Sequence, residues 1–129
     1  MKLILKETLV NRLLLVEAEG RTIESGFALR FKPIFNENAK EFISMFDFYY
    51  ITESDKALRV EFHGIFRTDV PIDEKFKQSK FPVVNAPAIA FPFLRAFIAN
   101  FLISVGCNPI LLPSFNFTTF EAEVGEFPD

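Results

Sequence analysis

The chain of 129 residues has no tryptophan, one cysteine and one histidine, and these scarcities remove several kinds of chemistry at once. A lone Cys107 excludes an internal disulfide and fits a reducing compartment. With no histidine or aspartate beside it to activate the thiol, it reads as a buried structural residue. His63 has no accompanying nucleophile and reads as a solvated residue beside Glu61. There is no glycine-rich phosphate loop and no spaced cluster of metal ligands. Glu121, Glu123 and Glu126 read as a solvated acidic tail rather than a hard-cation site. The expectation is a protein that is not an enzyme and takes no cofactor and no metal. Basic charge is scarce too: 14 Lys and Arg stand against 17 Asp and Glu, a net charge of −3. A phosphate-backbone binder needs clustered cations, so no nucleic-acid partner is expected. The first twenty residues are interrupted by Lys6, Glu7, Asn11 and Arg12 and are followed by no small-residue cleavage site, so no secretory leader is read and the cytoplasm is expected.

What the chain has in excess is phenylalanine, 18 residues in a composition that is 50% hydrophobic. Phe buries much area and makes no hydrogen bond, which suits a core or a surface that holds apolar matter without reading its sequence. Length and composition give one α+β domain: a sheet over 1–67, a connection over 68–84, a helix over 85–106, and a proline-rich loop with a short tail over 107–129.

Over residues 3–19 the period of two is blurred and a helical period also fits, but the stretch reads as a long strand with a bulge near Asn11. Phe27, Leu29, Phe31, Pro33 and Phe35 alternate with Ala28, Arg30, Lys32 and Ile34, the period of a half-buried strand, and Pro33 places it at an edge. Asn36, Glu37 and Asn38 read as a turn. Over 41–52, Phe42, Phe46, Phe48 and Tyr50 face one way and Ile43, Met45, Asp47, Tyr49 and Ile51 the other, so this strand is expected inside the sheet with both faces covered. A hairpin turn over 53–56 leads to Leu58, Val60, Phe62 and Phe66, alternating with Arg59, Glu61, His63 and Arg67, with Gly64 read as a bulge. Four antiparallel strands follow, then a polar surface connection over 69–81. Asn85 is the expected N-cap of the helix, with Pro87 in its first turn, Pro92 as a kink or restart and Gly106 as the C-terminal stop.

From Ala86 to Val105 only Arg95, Asn100 and Ser104 are polar. A helix that is apolar on every side must be covered on every side. Length alone permits a membrane span, but Arg95 near the middle would cost about 2.5–3.5 kcal/mol, and Asn100 and Pro92 add to that. No membrane insertion is expected. Instead Phe93, Leu94, Phe97, Ile98 and Phe101 are expected to meet other copies of the chain, and the helix to be buried in an oligomer.

The stretch 85–117 resembles the SecB protein-export chaperone family. The family's Pro-Asn-Ile-Leu-Phe-Pro-Tyr-Ala-Arg-like motif is matched by Pro87, Ile89, Phe91, Pro92, Phe93 and Arg95. Its Pro-x-x-Leu-x-Pro-x-Asn-Phe motif is matched by Pro109, Leu112, Pro113, Asn116 and Phe117, and its Gly-Ile-Phe by Gly64, Ile65 and Phe66. The chain departs from the family in lacking most of the C-terminal helix. The resemblance implies an ATP-independent holdase: a homotetramer, a dimer of dimers, that binds unfolded or nascent preproteins for export. The client groove is then expected at Phe27, Phe31, Phe35, Leu111, Leu112, Phe115, Phe117 and Phe120. A contact with the SecA motor would use Glu17, Glu19 and Glu24. SecB-like proteins also serve as dedicated chaperones of a toxin–antitoxin pair, and an oligomeric adaptor without holdase activity is a further alternative.

Overall fold

The computed structural model describes residues 2–36, 40–120 and 123–128. Four strands form over the stretches read as strands: β1 (Leu3–Glu17), β2 (Phe27–Phe35), β3 (Glu41–Ile51) and β4 (Lys56–Thr68). A short helix α1 (Glu74–Lys77) and the long helix α2 (Ala86–Ser104) follow, and the tail adds β5 (Glu123–Val124). The sheet is antiparallel with strand order β1-β4-β3-β2-β5. The fold is α+β: five strands, one more than the four expected, and one long helix packed on one face, here called the inner face.

Register on β1 slips between Leu5 and Glu7 and again between Val10 and Arg12. The expected bulge at Asn11 is therefore present, and a second lies at Lys6. Gly64 is not a bulge: it pairs with Ser44 and with Thr8 in unbroken register. Its small size is needed for another reason. A Cβ built there would lie 2.9 Å from the Cβ of Ala90. Gly64, Ser44 and Ala90 thus mark where α2 comes down nearest the sheet. The β3–β4 turn begins one residue earlier than expected, at Thr52, whose N–H donates to the carbonyl of Lys56 at 2.8 Å. Of the turn expected after β2, Glu37 and Asn38 lie outside the described residues.

The connection over 69–81 is more ordered than its polarity implies. Asp73 caps α1 by accepting from the N–H of Phe76 at 2.8 Å, and Phe76 turns into the core. Asn85 does not cap α2. It has helical dihedrals and no side-chain cap bond, because a wide π-type turn, Phe81–Asn85, leads straight into the helix. Nor does the helix restart at Pro92, which lies within α2. It stops as predicted at Gly106, where φ is +85°. There the Cys107 and Gly106 N–H groups close on the carbonyls of Leu102 and Ile103, the paired bonds of a glycine helix stop. Cys107 is half-buried rather than buried.

On the inner face Phe42, Phe46, Phe48, Leu58, Val60, Phe62 and Phe66 pack beneath Ala90, Phe91, Leu94, Ile98 and Leu102 of α2. At about 1.5–3 kcal/mol per fully buried side chain, this layer is the main source of stability. The outer face of β3 is covered only in part, by a small cluster of Ala18, Ala28, Tyr49 and Ala57 with Ile23, Ile51 and Phe127 against it. Tyr49 and Tyr50, neighbours in sequence, consequently belong to opposite faces.

Candidate functional site

Strand β2 runs at one side of the sheet with Phe27 and Phe31 on its inner face, and α2 brings Phe91 beside them. The loop after α2 turns back over this corner. Its Phe115, Phe117 and Phe120 close the space: ring centroids are 5.4 Å apart for Phe31 and Phe117, 5.2 Å for Phe91 and Phe115, and 5.1 Å for Phe115 and Phe120. Edge-on and tilted pairings of this kind add about 0.5–1.5 kcal/mol beyond area burial. Six phenylalanines from three elements therefore meet in one cluster.

Sequence reasoning placed five of the six there and missed Phe91, whose position in an all-round apolar helix gives no sign of direction. Of the other expected groove residues, Leu112 is buried in the core. Leu111 is 85% exposed and projects from the loop. Phe35 does not join the cluster. It packs on Phe42 at 5.6 Å and sits under the Lys77 ammonium at 5.4 Å, at the far end of β2.

The loop is held lightly. From Asn108 to Phe115 no backbone hydrogen bond fixes it among the described residues. Its polar tether is a bond from Arg95 Nη1 to Ser114 Oγ at 3.2 Å. The rest of its attachment is apolar packing, by Ile110, Leu112 and Phe115.

Helix α2 separates its two faces cleanly. Leu94 and Ile98, expected at an oligomer interface, are wholly buried against the chain's own sheet. Phe97 and Phe101 are half-buried at the margin and stack on each other at 5.8 Å. Phe93 remains exposed, and with Ile89, Pro92, Ala96 and Ile103 it forms an apolar stripe pointing away from the sheet. By length and composition alone the stretch Phe81–Ser104 is long and apolar enough to cross a membrane. A second uncovered element is β1, the terminal strand of the sheet, which exposes Ile4, Leu9, Val10, Leu13, Leu14 and Val16. An edge of this length invites pairing.

The outer face is polar at its centre. The Asp47 carboxylate, nearly buried, accepts from Arg30 at 2.9 and 3.1 Å and from Arg59 at 2.7 and 2.8 Å. The Phe127 ring lies over both guanidiniums, 4.0 Å from Arg30 and 5.1 Å from Arg59. His63 does lie beside Glu61, at 3.0 Å, but it is half-buried rather than solvated. Of the acidic residues read as a motor contact, Glu17 is ion-paired with Lys56, and Glu19 and Glu24 are exposed on the β1–β2 connection. No group of three or more metal-ligating side chains occurs among the described residues.

No family model and no curated protein matches the chain. Solved structures do. A SecB-like chaperone of Mycobacterium tuberculosis, Rv1957, solved in complex with a ChAD peptide from the antitoxin Rv1956 HigA1, superposes with a TM-score of 0.64 over 88% of this chain and 87% of its own, at 10% identity. The fold is thus that of a SecB-like chaperone.

Proposed function

We propose that the protein is an ATP-independent holdase that binds unfolded segments of polypeptide at the aromatic corner formed by β2, α2 and the loop over 107–120. The observation that carries this reading is the cluster of Phe27, Phe31, Phe91, Phe115, Phe117 and Phe120, closed by a loop whose stretch from Asn108 to Phe115 has no backbone hydrogen bond among the described residues. A site made chiefly of phenylalanine rings has affinity for apolar side chains and little means of reading their order. The exposed Leu111 at the loop is a first contact, and lifting the loop uncovers the rings beneath it. The fold shared with a SecB-like chaperone supports the same function.

Two uncovered surfaces support an assembly of several copies: the outer stripe of α2 and the terminal strand β1. A homotetramer built as a dimer of dimers would cover both, as the SecB resemblance implies, and would work in the cytoplasm without crossing a membrane. Hand-over to a SecA motor enters this reading only through Glu17, Glu19 and Glu24. A narrower reading, a chaperone dedicated to one antitoxin, is favoured by one observation: the similar structure was solved with an antitoxin peptide bound.

The test is suppression of aggregation of several unrelated denatured proteins, in wild type and in Leu111→Ser combined with Phe115→Ser. Protection by wild type and its loss in the double variant, at unchanged oligomeric mass, is the expected result. Protection of one partner only supports the dedicated chaperone. Protection equal in both proteins would falsify the assignment of the corner.

A further inference from the structure

Two cavities among the described residues open on the outer face of the sheet, away from the aromatic corner. They share Arg12, Asp47, Arg59 and Glu61. One of them has a volume of about 440 Å³, within the range of ligand-binding clefts. Three guanidinium groups line it, from Arg12, Arg21 and Arg59, against the two carboxylates of Asp47 and Glu61. Among the described residues that line it, guanidiniums outnumber carboxylates, on a chain of net charge −3.

The two carboxylates are already engaged. Asp47 takes four bonds from Arg30 and Arg59, and Glu61 accepts from Asn11 and pairs with His63. Arg21 donates to the backbone carbonyls of Ala18 and Glu17, which fixes its position and leaves its charge uncompensated by those bonds. Arg12 is exposed and makes no hydrogen bond or ion pair among the described residues. The other walls are apolar, above all Leu14, 56% exposed, and Val16. Since Leu9, Arg12, Leu14 and Val16 face His63, Glu61, Arg59 and Ala57 across the pair, this apolar-and-cationic strip continues along the outer face of β1.

We infer that the cavity is a docking site for an extended acidic peptide segment whose carboxylate pairs with Arg12 and whose neighbouring aliphatic side chain lies on Leu14 and Val16. A guanidinium holds a carboxylate through two parallel bonds, more strongly than it holds water or a neutral amide. The elongated strip fits a strand of polypeptide better than a compact anion. The site lies on the opposite side of the sheet from the aromatic corner, and edge-to-edge pairing of β1 with a second copy would leave the outward side chains of Leu14 and Val16 open to it, so it is independent of the holdase reading.

The test is calorimetric titration of the full chain with an octapeptide of alternating glutamate and leucine, beside its glutamine–leucine and lysine–leucine counterparts. The acidic peptide is expected to bind, at least about tenfold more tightly than the neutral one, with affinity falling as salt rises. Arg12→Gln, an exposed change, should bring the acidic peptide down to the neutral one's affinity while leaving aggregation suppression intact. Failure of the acidic peptide to bind, equal affinity for the neutral peptide, an unchanged titration in Arg12→Gln, or displacement of the peptide by a denatured client each overturn the proposal. Loss of aggregation suppression in wild type would overturn the holdase reading and leave this site standing.

Discussion

Gly64 sets how near the helix can lie to the sheet, and the three small residues around it show what close packing demands. A side chain at Gly64 would meet the Cβ of Ala90, which is fixed to the helix backbone and cannot swing aside. Gly64→Val is therefore expected to lower stability by about 1–3 kcal/mol through overpacking. Ala90→Gly in the same chain should recover part of that in urea unfolding. Beside it, Ser44 is wholly buried, and its hydroxyl has no partner among the described residues. An unsatisfied buried hydroxyl costs about 1–3 kcal/mol, so Ser44→Ala should raise the unfolding midpoint; a lower midpoint would mean that a water or partner satisfies it. Neither role is visible in the sequence. A glycine in a strand reads equally as a bulge or as a close approach, and only the helix passing over it decides between them.

At the scale of elements, alternation was enough for β2, β3 and β4, because one face of each is buried and the period of two survives. It failed for β5, whose two residues carry no period and whose existence depends on the edge of β2. It failed also for α1, where a single capping aspartate and one buried Phe outweigh a polar composition. In α2 the residues were right but their directions were not. With apolar side chains on every side there is no stripe to orient the helix, so Leu94 and Ile98 were assigned outward with Phe93. The two groups should now respond oppositely. Leu94→Ala should cost about 2–5 kcal/mol of folding stability, by leaving a cavity. Phe93→Ser combined with Ile103→Ser should leave folding within about 0.5 kcal/mol per site and be felt in assembly. Circular dichroism melts of the two variants separate the effects.

The start of β1 is pinned by charge. Glu41 is held below the usual carboxylate range by the hydrogen bond and charge of Lys6, with a smaller part from Arg67, and Asp69 by the backbone N–H of Lys2. Both carboxyls have lowered folded pKa values, so their contribution is whole above the ordinary carboxylate values and is lost as pH falls through the folded ones. On acidification to about pH 3 the amide protection of residues 3–5 should fall before that of β3. In Lys6→Met the part due to Glu41 should disappear. Uniform loss of protection along the sheet would contradict this.

For the whole molecule, the aromatic corner was nearly legible, since proline-stiffened Phe after an apolar helix is hard to reconcile with a solvated loop. The arginine-lined outer face was not, because Arg12, Arg21, Arg30, Asp47 and Arg59 are scattered along the sequence and meet only through strand register. Sedimentation should find no monomer at micromolar concentration, and Phe93→Ser combined with Ile103→Ser should shift the mass downward. A monomeric wild type would remove the reason given for the outer stripe of α2.

The divergence of Tyr49 and Tyr50 has a practical side. In a chain without tryptophan these adjacent rings supply the whole near-ultraviolet signal above phenylalanine, one from each side of the sheet. Tyr50, stacked near Phe48 at 6.3 Å, has its hydroxyl pushed above the ordinary tyrosine range, chiefly by burial and further by the charges of Glu53 and Cys107. Tyr49 lines the arginine cavity. Ring-labelled tyrosine therefore gives two resonances that act as separate gauges. A ligand at the outer cavity moves the first and a change in inner-face packing the second, so occupancy of the two sides can be followed in one sample without adding a probe.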